Sequence, residues 1–387
     1  MNMTRRNMVI STVGALGATL LPTVAAQPSP AAHEANAGAL LDLVSLDDFE
    51  RAARDRMAAM AYEFIASGAG DEVTIRWNRE DYNKLRLRPR VLVDVEVLDT
   101  SLELFGQKSD FPILLAPTAL HRLTHSEGEV ETARGAAAAN ATFIVSSFST
   151  RRMADIARAT SKPLWFQLYG LNKERHGFVH DVVQEVKALG CRALCVTVDA
   201  PVLGARNRQA RAGFRIPEGF ETPYYPERAG AKSAAGLPML GSFTWDDVAW
   251  LRSSTTLPIL LKGILNPADA ELAIGAGVDG IIVSNHGGRC LDTLPATISA
   301  LPSVAERVAG RVPLLVDGGI RRGTDVLKAL ALGAKAVLIG RPYLFGLGAG
   351  GAAGVTRVVE ILRDEFKMAM ALTGRRSLAE IDRSVIG

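Results

Sequence analysis

The sequence predicts an α/β fold, a closed barrel of eight parallel strands each followed by a helix, and three observations point to it. From residue 111 onward a short apolar run, a loop and a helix-like stretch follow one another eight times. The apolar runs are near-continuous rather than alternating, as strands covered on both faces must be. Polar residues and glycines collect just after each run, at the strand ends where such a barrel carries its chemistry. A doubly wound open sheet is the competing arrangement. A count of eight favours the barrel, the TIM (β/α)8 fold.

The first residues read as an address label. Thr4-Arg5-Arg6-Asn7-Met8 leads into an uncharged apolar run from Met8 to Leu21, then Val24-Ala25-Ala26. A basic start, an apolar run and small residues before a cleavage point describe a signal peptide over residues 1–26. The Arg5-Arg6 pair indicates the twin-arginine route. The run is shorter than the roughly 20 residues of a comfortable span. Export to the periplasm is therefore expected, with a membrane anchor left by an uncleaved N-terminus as the alternative. Residues 27–43 read as a linker, and the barrel domain takes residues 44–387, opening with a helical segment.

The predicted strands are Phe111–Pro117, Thr142–Ser147, Pro163–Tyr169, Ala193–Asp199, Pro258–Gly263, Gly280–Asn285, Pro313–Gly319 and Ala336–Arg341. Between them lie helical stretches at Glu127–Ala139, Glu174–Leu189, Asp246–Ser253, Pro267–Ile274, Ser299–Val308 and Thr324–Leu332. The spacing of strand starts is regular except after strand four, where Asn207 to Ser242 intervene. That segment, mostly polar with Gly, Pro and Tyr, reads as a long loop over the barrel mouth and a poor membrane anchor.

Composition narrows the class. Apolar residues make up 48% and charged residues 22%, an ordinary globular balance that excludes disorder of the whole chain. A net charge of +3 offers no footprint for nucleic acid. Three cysteines do not make a disulfide framework. Cys191 and Cys195 have no matching His pair, so they read as small buried hydrophobes and no metal is expected.

The strand ends carry the candidate chemistry. Asp317-Gly318-Gly319-Ile320-Arg321 and Gly340-Arg341 follow strands seven and eight, the usual phosphate position of this fold. Glycines let backbone N–H groups approach an anion, and arginines supply charge. His286 ends strand six among glycines, where an imidazole titrating near neutrality serves as a general base. Asp199, ending strand four, is its expected partner, orienting the ring and stabilising the imidazolium. Lys262 ends strand five inside an apolar barrel and needs an anionic partner or a function, such as stabilising charge on a reduced cofactor ring. Pro117-Thr118-Ala119, Ser146, Gln167, Tyr169, Thr197 and Ser284 are the remaining polar or turn positions there.

Several of these stretches are recognisable together. Tyr62-Glu63-Phe64-Ile65-Ala66-Ser67-Gly68-Ala69, Ala116-Pro117-Thr118-Ala119, Phe166-Gln167-Leu168-Tyr169, Leu261-Lys262-Gly263, Ser284-Asn285-His286-Gly287-Gly288-Arg289 and Asp317-Gly318-Gly319-Ile320-Arg321-Arg322-Gly323 occur in order. Over about residues 44 to 384 the chain resembles the FMN-dependent 2-hydroxy acid oxidases and dehydrogenases, among them glycolate, lactate and hydroxymandelate oxidases and mandelate dehydrogenase. The resemblance implies FMN, with its phosphate against Gly319, Arg321, Gly340 and Arg341. It places the ring against Pro117, Thr118, Ala119, Ser146, Gln167, Thr197 and Lys262, with Ser284, Asp317 and Gly318 in the same cofactor wall. It makes His286 the base, Asp199 its support and Arg289 the grip on the substrate carboxylate, with Tyr169 and Arg206 completing the pocket. It also implies a homotetramer, and dioxygen or a quinone-linked carrier as electron acceptor.

One departure bears on substrate. Many members have Tyr at the Phe64 position, where its hydroxyl helps hold the carboxylate. Losing a hydrogen bond to a charged group costs about 1.5–3 kcal/mol. Phe148 stands where glycolate oxidase has Trp, and hydroxymandelate oxidases share Phe at position 64. The expectation is a bulky or aromatic (S)-2-hydroxy acid, with a lactate-type acid or a lactone as the alternative. Tyr62 is two residues away and should point elsewhere. Other phosphate-binding barrel enzymes, or a non-catalytic flavin carrier, compete with this reading. Intact His286, Asp199, Lys262 and Arg289 argue against both.

Overall fold

A computed structural model describes residues 40–170, 173–225 and 244–387. The signal peptide, most of the linker and the far part of the long loop lie outside the described residues.

Among the described residues the barrel is preceded by helices α1 (Leu46–Arg56), α2 (Ala59–Ala66) and α3 (Val73–Lys84). Ser45 and Asp48 start α1 with a capping box, and acids in its first turn with arginines in its last suit the helix dipole. A hairpin of β1 (Leu102–Leu104) and β2 (Gln107–Ser109) follows. It covers the N-terminal mouth of the barrel: Phe105 packs on Trp165 with ring centroids 5.6 Å apart, and Trp165 Nε1 donates to Gln107 Oε1 at 3.2 Å.

The barrel strands are β3 (Ile113–Leu115), β4 (Phe143–Ser146), β5 (Leu164–Leu168), β6 (Leu194–Thr197), β7 (Ile259–Ile264), β8 (Gly280–Val283), β9 (Leu314–Asp317) and β10 (Ala336–Ile339). All eight pair in parallel and in sequence order, and β10 closes on β3. Seven lie inside the runs expected for them, and β7 runs one residue past its run, to Ile264. Every strand is buried on both faces, which is why the runs carry no alternation. Leu114, Ile144, Trp165, Cys195, Leu260, Ile282, Leu315 and Leu338, one from each strand, fill the interior. Neighbours of opposite parity, such as Ile113, Val145 and Val316, join the outer core beneath the helices.

The six expected helices appear, with ends within two residues of expectation at Glu129–Ala138, His176–Ala188, Trp245–Ser254, Pro267–Gly275, Thr297–Val308 and Gly323–Ala331. Among the described residues three further α-helices were not expected. Met153–Arg158 and Asn207–Arg211 are short, the latter in the described part of the long loop. The third, Arg341–Leu372, runs on from β10 and breaks at Gly350 and Gly351. It is apolar enough to span a membrane, yet it is mostly buried inside the protein and packs on α1.

Candidate active site

Strand parity builds the site. The interior apolar layer ends, and two residues further along the same strands come Ala116, Ser146, Gln167, Thr197, Lys262, Ser284, Asp317 and Gly340. These side chains point inward like their predecessors, but at the open end of the barrel. They interlock. Ser146 Oγ donates to Gln167 Oε1 at 2.8 Å. Lys262 Nζ donates to Ser284 Oγ at 3.0 Å and pairs with Asp317 Oδ2 at 3.4 Å. The partner that a buried lysine requires is thus Asp317. Asp317 and Asp199 raise the Lys262 ammonium well above its ordinary range despite burial, which acts the other way.

Above this layer stands the base. His286 Nδ1 lies 2.7 Å from Asp199 Oδ1, and Nε2 lies 3.3 Å from the Tyr169 hydroxyl. The Asp199 bond fixes which nitrogen faces the cavity. A bulge at Gly263 lets the carboxylate in: with φ of 115°, a Cβ there would lie 2.5 Å from Asp199 Cβ. Burial alone would pull the His286 imidazolium down. Cys290 and Asp199 outweigh it and push it up to about 9. Two consequences follow. The neutral ring is the base, so kcat/KM should rise about tenfold per pH unit through neutrality and level off near 9. A profile flat from pH 6 to 9 would contradict this. For stability the sign reverses: the raised pKa contributes below the unfolded value, near 6.5, and that contribution is lost as pH rises through about 9.

The opposite side of the mouth suits a phosphate. A Cβ at Gly319 would lie 1.8 Å from the Asn78 carbonyl oxygen, so the backbone there turns as only glycine allows, at φ 81°. Arg341 donates to the carbonyls of Ile65, Gly287 and Ser67. Arg321 Nε lies 4.0 Å from Asp47 Oδ1, and its backbone N–H donates to Asp325 Oδ2 at 3.0 Å. Burial and Arg321 pull Arg341 down to about 10, and burial with Arg79 lowers Arg321. Two largely buried guanidiniums, one lowering the other and the second crowded by Arg79, favour an anion beside them.

FMN fits this wall. Besides the phosphate end, Gln167 Nε2 and Asp317 Oδ1 are buried polar atoms without a hydrogen-bond partner among the described residues. A heteroaromatic ring with donors and acceptors on its edge supplies partners of that kind. Thr118, Ala119, Ser146, Thr197, Lys262, Gly318, Gly319 and Gly340, with Pro117, Arg321 and Arg341, line one cavity. Gln167 and Ser284 belong to the same inward ring and hold Ser146 and Lys262 in place. Asp199 holds His286 in the same way.

The substrate side brings Phe64, Phe148, Tyr169, Arg206 and Arg289 into the same cavity. Arg289 Nη1 donates to the carbonyls of Phe64, Ile65 and Ser67 at the end of α2, and its Cζ lies 5.2 Å from the Phe64 ring. Arg206 Nε donates to the Arg289 carbonyl at 3.1 Å. The Tyr62 hydroxyl lies 3.3 Å from Glu50, turned away as expected. Phe214 and Cys290 are among the cavity residues that the sequence reading missed. Phe214 stacks on Phe64 with centroids 4.4 Å apart, and no motif marks it. Cys290 lines the cavity, in contrast to the buried Cys191 and Cys195. Its position right after Arg289, two residues beyond the strand-end glycine, was the signal.

The relatives agree with the geometry. The chain is 43% identical to an L-lactate oxidase of Nostoc over 89% of this chain and 98% of the relative. It is 42% identical to the glycolate oxidase of Spinacia oleracea, covering 89% and 96%. A solved mandelate oxidase variant with (S)-mandelic acid superposes with a TM-score of 0.82 at 38% identity, covering 89% of this chain and 98% of that one. The family model for FMN-dependent dehydrogenases matches residues 53–387. The chain therefore belongs to the FMN-dependent dehydrogenase family, with homologues that are 2-hydroxy acid oxidases.

Proposed function

We propose that the enzyme oxidises an aromatic (S)-2-hydroxy acid of the mandelate type to the 2-oxo acid and passes the electrons to dioxygen. The observation that carries this is the aromatic wall. Phe64 presents a ring rather than a hydroxyl and stacks on Phe214. Across the cavity Phe148 packs against Tyr169 at 5.1 Å and Tyr225 at 4.6 Å. Edge and face contacts of this kind reward an aromatic substituent, whereas a thinned carboxylate grip penalises a small acid most. FMN, when bound, accepts the two electrons of the oxidation. The remaining work belongs to side chains. Arg289 and Arg206 hold the carboxylate, His286 Nε2 takes a proton, Asp199 stabilises the imidazolium, and Tyr169 bonds the reacting oxygen.

The test is anaerobic mixing of the holoenzyme with (S)-mandelate or L-lactate, followed by admission of air. Fast loss of yellow colour with mandelate, slow loss with lactate and rapid recolouring in air are expected. The second reading, a lactate-type substrate with a quinone-linked acceptor, draws on relatives that oxidise lactate and glycolate by name. Lactate bleaching first, or recolouring only with a quinone, would select it. Phe64→Tyr restores a hydroxyl beside Arg289. It should raise the lactate-to-mandelate ratio of kcat/KM by about 10- to 100-fold, the equivalent of about 1.5–3 kcal/mol. An unchanged ratio would mean that another residue already does this. Export follows as part of the proposal, checked by locating the enzyme with Arg5-Arg6 intact and replaced by Lys. A homotetramer is checked by light scattering.

A further inference from the structure

Three donor atoms meet at the base, and the reaction uses only two of them. Asp199, His286 and Cys290 each present one: a carboxylate oxygen, an imidazole nitrogen and a sulfur. All lie within 4.8 Å of one another. We propose that these three residues form a site for a divalent cation of the zinc class, and that its occupancy removes the base from action. The inhibition rests on His286 being that base, whereas the site does not.

The donor set selects the ion. One sulfur, one nitrogen and one oxygen suit zinc, and a thiolate is a poor ligand for magnesium or calcium. A carboxylate and a thiolate balance a dication once the imidazole is neutral. A second observation is independent of the cysteine. The other oxygen of Asp199, Oδ2, is buried without a hydrogen-bond partner among the described residues. An unspent acceptor beside a thiol and an imidazole is what an arriving cation needs.

Access and fit agree. Cys290 and His286 both face the substrate cavity, so the ion enters by the substrate's route and water from the cavity completes four-coordination. Zinc bonds of about 2.0–2.3 Å place ligand atoms roughly 3.3–3.8 Å apart. Closing from the observed spacing takes a shift on the order of 1 Å, within reach of rotation about the Cys290 Cα–Cβ bond. Three cations stand nearby, each with its own partners: Lys262 with Asp317 and Ser284, Arg289 with the end of α2, and Arg206 with the Arg289 carbonyl. They weaken the site without filling it. The binding expected is therefore reversible and competitive with substrate, unlike that of a closed structural zinc site.

The experiment titrates the holoenzyme with zinc chloride, measuring bound zinc by equilibrium dialysis and turnover in parallel. X-ray absorption at the zinc edge is recorded on the loaded sample. One zinc per chain is expected, with a single sulfur near 2.3 Å and lighter ligands near about 2.0–2.1 Å. Turnover should fall with occupancy, recover with a chelator, and be protected by substrate. Cys290→Ser and Cys290→Ala should lose at least about tenfold in zinc affinity, with flavin absorbance and circular dichroism reporting that they fold. Zinc bound without sulfur, or with equal affinity in Cys290→Ala, overturns the site. The absorption result on the unaltered enzyme stands even if both variants misfold. Zinc bound through sulfur with full turnover overturns the inhibition and the role of His286 as base, while the metal site stands.

Discussion

His286→Asn is expected to lower kcat by about 10²- to 10⁴-fold, the usual contribution of a positioned base, while flavin stays bound. Asn is the informative replacement because of the backbone. His286 sits at φ 58°, a left-handed conformation that Asn tolerates better than most residues. Its N–H keeps its bond to Ser284 Oγ, 3.1 Å away. What disappears is a nitrogen able to take a proton beside Tyr169, and the cation that faces Asp199. The check is single-turnover colour loss under anaerobic conditions, which isolates the step that needs the base. Colour loss within about threefold of the unaltered enzyme would exclude His286 from it. Asp199→Asn should act through the same group. Without that carboxylate the His286 pKa falls, so the pH profile should shift to lower pH while its plateau drops.

The barrel was legible because its physics repeats. Eight strands buried on both faces leave eight continuous apolar runs, and inward parity brings polar residues to the mouth two positions beyond Leu260, Ile282 and Leu315. The helix Arg341–Leu372 was not legible, because Leu347-Gly348-Ala349-Gly350-Gly351 reads as a loop on propensity alone. Packing overrides that propensity. A Cβ at Gly354 would lie 2.0 Å from the Gly346 carbonyl oxygen, so glycine here permits close packing of chain on chain. Within the site, sequence located the strand ends but not the bonds between them. Gln167 holds Ser146 and Ser284 holds Lys262 through hydrogen bonds between neighbouring strands, which the separate runs do not specify. Phe214 was out of reach for another reason. It meets Phe64 from a loop 150 residues away, and no local pattern encodes such a pairing.

Lys262→Met is expected to cost about 3–5 kcal/mol of stability, because it leaves the Asp317 carboxylate buried without its cation. Both side chains are nearly inaccessible, at 5% and 9% relative exposure, so water cannot take over. Met keeps the apolar stem of lysine, which limits the loss to charge and hydrogen bonds. If packing were the reason for a long side chain here, this substitution would be nearly neutral. A cycle with Asp317→Asn separates the two accounts. The double variant has no orphaned charge and should recover most of the loss, whereas two additive losses would deny the pairing. The sign with pH is fixed by the raised Lys262 pKa. The stabilisation is present below the unfolded value near 10.4, so urea midpoints should show the same deficit from pH 5 to 9. Function should suffer beyond stability. Lys262 faces both Asp317 and Asp199, and it lines the cavity on the cofactor wall. The double variant, once stable, should therefore still lose its yellow colour slowly with substrate. Wild-type reduction rates in that variant would confine Lys262 to holding the barrel mouth together.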